Sequence, residues 1–173
     1  MFDGEGKYHF HFGSNGTANG QFSLPYGISV DLRDDRIIVA DYANNRIQIF
    51  DEKGKFIRSF GYQGDGDGQL SHPRGVCADR EGRIYVADQQ NHRVQVFDQE
   101  GRFITKFGKQ GSGEGELYYP TGIGITSKGN IVVGEYFNHR ISIFDQNGKF
   151  TKVIPFSLFF FSFLFFLLFF ALL

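Results

Sequence analysis

Apolar and polar residues alternate along short stretches of this chain, and turn residues separate the stretches. The clearest run lies between Gly75 and Phe107. Gly75-Val76-Cys77-Ala78-Asp79 is a short apolar segment. Arg83-Ile84-Tyr85-Val86-Ala87, Arg93-Val94-Gln95-Val96-Phe97 and Arg102-Phe103-Ile104-Thr105-Lys106-Phe107 each alternate with period two. Period two, shortness and β-branched or aromatic content predict four strands. Turn formers fill the gaps at Asp79-Arg80-Glu81-Gly82, Gln89-Gln90-Asn91-His92 and Asp98-Gln99-Glu100-Gly101. Links this short join antiparallel neighbours. Before Phe156 no segment carries a helical period.

The four-strand pattern recurs. Phe12-Gly13, Phe60-Gly61 and Phe107-Gly108 share one phase, as do Pro25, Pro73 and Pro120. Asp41, Asp88 and Glu135 share another, followed by Asn45-Arg46, His92-Arg93 and His139-Arg140, then Phe50-Asp51, Phe97-Asp98 and Phe144-Asp145. The stretch from Phe2-Asp3 to Phe12-Gly13 repeats the stretch from Phe50-Asp51 to Phe60-Gly61. Four antiparallel strands in a unit of this length make a propeller blade, whose faces are buried only by its neighbours. The predicted fold is therefore all-β: an incomplete β-propeller of three four-stranded antiparallel blades plus a fragment of a preceding one. Residues 1–12 are read as the last strand of a preceding blade. The blades occupy 13–60, 61–107 and 108–154, and 155–173 is a Phe/Leu-rich apolar tail. Both ends look cut. Three blades leave two faces unpaired. Two copies could complete a six-bladed ring, although nothing in the sequence demands it.

The tail changes how composition is read. From Phe156 to Leu173 there are nine Phe, six Leu, two Ser and one Ala. As a helix it would span about 27 Å, close to a bilayer core. One reading is a membrane anchor preceded by Lys149 and Lys152. The other is an aberrant end: from Pro155 to Phe170 every residue is Phe, Leu, Ser or Pro, the four amino acids of all-pyrimidine codons. Met1 to Phe12 lacks the apolar run of a signal peptide, and the expected location is cytoplasmic.

Charge narrows the partners. With 18 Lys+Arg and 19 Asp+Glu the net charge is −1, which excludes a generally basic coat for nucleic acid. No blade is clearly basic. One cysteine, Cys77, rules out an intramolecular disulfide and a thiolate-only zinc site.

Most chemical-looking motifs recur in every blade, and recurrence points to architecture. Gly61, Gly64, Gly66 and Gly68 with Asp65 and Asp67 look like an ion loop, but Val76 stands where a calcium loop needs Glu. The matching Gly13, Gly16 and Gly20, and Gly108, Gly111 and Gly115, mark the connection between blades. Asp41 with Arg46, Asp88 with Arg93 and Glu135 with Arg140 are spaced to pin the loop between the second and third strands. An active site is normally singular, so no catalytic residue is expected. His72, His92 and His139, with His9 and His11, show no metal-ligand spacing, so neither metal nor other cofactor is expected.

Phe-Gly-x-x-Gly-x-x-x-Gly, Pro-x-Gly, Asn91-His92-Arg93, Asn138-His139-Arg140 and the closing Phe-Asp resemble the NHL repeat. They are most like the C-terminal NHL domain of tripartite-motif (TRIM-NHL) proteins. Asn44-Asn45-Arg46 and Gly134-Glu135 depart from the pattern. The resemblance implies a six-bladed propeller that binds protein partners or RNA. Any ubiquitin-ligase activity would need RING domains that this sequence does not contain. A metal-dependent lyase, as on some related propellers, is a third possibility that would require bound metal.

Within that frame, Asp41, Asn45, Arg46, Asp88, Asn91, His92, Arg93, Glu135, Asn138, His139 and Arg140 are read as the structural repeat motif. Binding candidates are positions that vary while their neighbours repeat: Tyr26, Arg74 and Thr121 in Pro-x-Gly, Tyr42, Gln89 and Tyr136 after the acid, and His72 and Tyr119 beside them. Aromatics and Arg on one loop face suit a protein partner or single-stranded or hairpin RNA. No small-molecule substrate is expected, and a membrane is a partner only if 156–173 is a genuine anchor.

Overall fold

The computed structural model describes residues 4–155. Three antiparallel sheets follow one another along the chain. The first holds β1 (Pro25–Asp31), β2 (Arg36–Asp41), β3 (Arg46–Phe50) and β4 (Phe56–Phe60). The second holds β5 (Pro73–Ala78), β6 (Ile84–Asp88), β7 (Arg93–Phe97) and β8 (Phe103–Phe107). The third holds β9 (Pro120–Ile125), β10 (Ile131–Glu135), β11 (Arg140–Phe144) and β12 (Phe150–Pro155). Each sheet is a simple meander, as the short turn-rich links require. The all-β fold of three four-stranded blades is thus present.

Register repeats with the sequence. Asp41 faces Arg46, Asp88 faces Arg93 and Glu135 faces Arg140 across the second and third strands. Every first strand starts at proline, and the residue before it, Leu24, His72 or Tyr119, is left-handed (φ 51, 52 and 52°). That residue turns the chain inward to begin a blade.

The core lies between blades. Ile38, Ala40, Ile47 and Ile49 of the first blade pack on Leu70, Val76, Ile84, Val86 and Phe97 of the second. Cys77, Tyr85, Val94 and Val96 of the second pack on Leu117, Ile131, Val133 and Phe144 of the third. Alternate residues of one strand therefore face different neighbours, so both sheet faces are apolar. Burial, with the charge of Asp79, pushes the Cys77 thiol up to about 12, so it stays protonated and inert.

Residues 4–12 do not form a named strand. Phe12 still reaches its repeat position. Its ring lies 4.9 Å from Phe50, as Phe60 lies 4.7 Å from Phe97 and Phe107 lies 4.7 Å from Phe144. Among the described residues no helix is long and apolar enough to cross a membrane. The helix expected for the apolar tail lies outside the described residues.

Candidate binding face

The recurrent acids hold the loop frame. Asp88 is fully buried and accepts from Ser71 N (2.7 Å), Asn91 Nδ2 (2.9 Å), Arg93 Nε (2.7 Å) and Gln95 Nε2 (3.1 Å). Arg93 donates onward to the carbonyls of Asp65, Gly66 and Gln69, which fixes the glycine-rich connection. Asp41 does the same with Ser23 N, Asn44, Arg46 and Gln48. Glu135 does so with Tyr118 N, Asn138, Arg140 and Ser142. Every oxygen of these acids accepts from at least one donor, so each carboxylate ties its loop to the strands beside it.

A second device joins successive blades. Asn45 Oδ1 accepts the backbone N–H of His72 (2.8 Å), and His92 Nδ1 accepts that of Tyr119 (3.1 Å). Asn45, His92 and His139 all have a left-handed backbone (φ 54, 55 and 49°).

The His92 clasp works only with a neutral ring, and burial holds the His92 pKa below the ordinary histidine value. Below about pH 6.5 the unfolded chain binds a proton that the folded chain resists. Stability from this group is therefore complete above that pH and is lost as pH falls toward the lower folded value. The melting temperature should fall between pH 7 and pH 5, and His92→Asn, which copies Asn45, should fall less. Identical pH profiles for the two proteins would remove the clasp from the explanation.

On this frame the variable positions converge. β1, β5 and β9 lie side by side, and the Pro-x-Gly residues Tyr26, Arg74 and Thr121 stand at their starts. With Tyr136 they line a cavity of about 380 Å³. The Arg74 guanidinium stacks 4.8 Å from the centre of the Tyr26 ring. Tyr26 contacts Tyr42 edge-on at 4.9 Å, and Tyr42 contacts His72 at 4.8 Å. A second aromatic group continues from the cavity: Tyr136 on Phe137 (4.9 Å), Phe137 on Tyr119 (4.8 Å) and Tyr119 on His92 (4.8 Å). Tyr26, Tyr136 and Phe137 are 55, 58 and 48% exposed.

Gln89 stands apart. It is 5% exposed at the start of a 3-10 turn and faces inward, unlike its repeat partners Tyr42 and Tyr136. Sequence reading missed Phe137, Tyr118 and Gln90. Tyr118 packs 5.2 Å from Phe137, and Tyr119 Oη donates to Gln90 Oε1 (3.1 Å). Variation between blades could have found them: Ala43, Gln90 and Phe137 occupy one repeat position, and Ser23, Ser71 and Tyr118 another. Among the described residues no cluster of His, Cys, Asp and Glu could hold a metal ion.

Residues 70–167 match the family described as 6-bladed beta-propeller, over more than half the chain. The chain belongs to the 6-bladed beta-propeller family. Its residues 22–50 also match the NHL repeat, so the propeller is of the NHL type. Curated relatives include protein brain tumor of Drosophila melanogaster, 54% identical over 43 residues, which are 25% of this chain and 4% of that protein. E3 ubiquitin-protein ligase TRIM71 of Gallus gallus is 54% identical over 39 residues, 22% of this chain and 4% of the relative. Protein lin-41 of Caenorhabditis elegans is 54% identical over 39 residues, 22% of this chain and 3% of the relative. The chain thus matches only about 4% of the length of these relatives. Among solved structures, streptogramin B lyase aligns with a TM-score of 0.60 at 18% identity, over 78% of this chain and 41% of that one. A catalytically inactive virginiamycin B lyase from Staphylococcus aureus with quinupristin aligns at 0.63 and 17%, over 90% and 47%. Likeness at such identity extends the 6-bladed propeller assignment to the fold alone.

Proposed function

We propose that this NHL propeller chain is a binding platform for a protein partner, serving substrate recognition in a cytoplasmic, TRIM-like ubiquitin-ligase-family protein, and that it is not itself an enzyme. The observation carrying this is the exposed aromatic rim around Tyr26, Arg74 and Tyr136, with a single guanidinium in the cavity lining. Tyr and Arg clustered around a depression are the usual anchors of protein interfaces. The other arginines nearest the loops, Arg46, Arg93 and Arg140, are committed to internal carboxylates. The ligase connection rests on the short similarity to TRIM71.

The second reading is sequence-specific RNA binding. The Tyr26–Arg74 stack favours it, because aromatic and guanidinium planes both stack bases. Phosphate neutralisation would fall mostly to Arg74, which is little for RNA.

A selection on the full chain separates the two. A peptide display library should enrich aromatic peptides whose binding falls at least about tenfold in Arg74→Ala and Tyr136→Ala. Failure of both variants to weaken the selected peptides would end the rim reading. Enrichment from a random RNA pool, with affinity falling steeply with salt, would favour RNA instead.

A further inference from the structure

Among the described residues Arg74 is a cation without a counterion. Its guanidinium makes no ion pair and no hydrogen bond there, and its contact is the face of the Tyr26 ring. The other loop arginines are used differently: Arg46, Arg93 and Arg140 each close on a buried acid. Arg74 stands where the neighbouring blades carry Tyr26 and Thr121, so the repeat itself does not call for a charge at this position. It lies on the middle of the three blades, with a described blade on either side. No Asp or Glu lines the cavity that it borders.

The side chain is also held in place. The β5–β6 ladder shifts register between Pro73 and Val76, which puts Arg74 and Gly75 in a bulge, and bulges re-aim side chains. The Arg74 carbonyl oxygen lies so close to Gly27 that a Cβ there would strike it. The Tyr26 ring covers one face of the half-buried guanidinium and leaves its N–H edge for a ligand. An arginine fixed in this way loses little freedom when it binds. Its fork of donors matches a carboxylate with two parallel N–H···O bonds. One guanidinium balances one negative charge. A nucleic-acid strand calls for several cations, and no second one lines the cavity. At about 380 Å³ the cavity is at the small end of those that hold a ligand, with room for side chains rather than for a folded surface.

We infer that the partner of the rim presents an acidic side chain, Asp or Glu, beside an aromatic residue. Arg74 takes the carboxylate in a two-bond ion pair, and the aromatic residue packs on the Tyr136–Phe137 pair. The inference rests on the protein-binding reading of the rim and adds the chemistry of the partner. The chain as a whole, with a net charge of −1, exerts no general pull on acidic peptides. Selection for an acid therefore has to come from this one side chain.

Peptides selected on the full chain from a random display library should carry Asp or Glu beside an aromatic residue. The probe is then a synthetic peptide of the consensus sequence with an amidated C-terminus. Replacing its acid by the corresponding amide should weaken binding at least about tenfold. Arg74→Ala should weaken the acidic peptide by a similar factor, and the two changes together should be no worse than either alone. Selection repeated on Arg74→Glu should return Lys or Arg in place of the acid, with circular dichroism matching the parent. The peptide-side exchange needs no variant of the protein, so the test survives a variant that fails to fold. Aromatic peptides without an acid, an amide that binds as well as the acid, or a carboxylate needed only at the peptide C-terminus would overturn this inference and leave the rim reading in place. A library that yields no binding peptide removes both, whether or not an RNA pool enriches.

Discussion

Asp88→Ala is expected to destabilise the protein by about 3–5 kcal/mol, the cost of leaving a buried cation without its partner. Asp88 is fully buried and Arg93 is 6% exposed, so water cannot replace the carboxylate. The loss reaches beyond the ion pair. Ser71 N, Asn91 Nδ2 and Gln95 Nε2 all lose an acceptor in the same low-dielectric space. Native stability is typically about 5–15 kcal/mol, so this one change removes a large share of it. The exposed pair Lys106–Asp67 (2.6 Å) is the contrast: its side chains are 45 and 56% exposed, and Asp67→Ala should cost at most about 1 kcal/mol. Urea titrations of the parent and the two variants measure both. Similar midpoints for Asp88→Ala and the parent would mean that the loop frame is held some other way.

Gly75→Ala is expected to cost about 3 kcal/mol or more, although it adds one methyl group. That methyl would collide with the Thr121 carbonyl oxygen and lie 3.1 Å from Ile123 N and 3.2 Å from Ile123 Cγ2. Two of the three obstacles are backbone, which cannot rotate aside, so the second and third blades must part. The cost then includes contacts of the Val94–Leu117–Phe144 core. Gly122→Ala at the equivalent position, where a Cβ meets nothing within 4 Å, should stay within about 0.5 kcal/mol. Equal losses at the two sites would place the effect in strand propensity rather than in blade approach.

The recurring features were legible because each depends on local chemistry repeated three times. A short apolar run and period-two alternation located β5 to β8, and the repeat carried the same pattern to the other two blades. The Asp88–Arg93 spacing anticipated a pinned loop, since five residues across a tight turn leave the two side chains facing. Residues 4–12 show the limit of that logic. They carry the pattern of a fourth strand, yet form no named strand. Gln89 shows another limit. Its repeat position matched the half-buried Tyr42 and the exposed Tyr136, but a side chain after a strand can turn in or out, and only packing decides which.

By itself the sequence determined the blade period, the antiparallel order of strands and the residues that tie each loop, because these follow from hydrophobic alternation and short-range hydrogen-bonding geometry. Tertiary structure alone decided that Tyr26, Arg74 and Tyr136 share one cavity, that Phe137 joins its rim and that Gly122 lies open while Gly75 is closed in. Those facts depend on how one blade is rotated against the next. That rotation is set by the packing of whole sheet faces, to which every residue of both faces contributes.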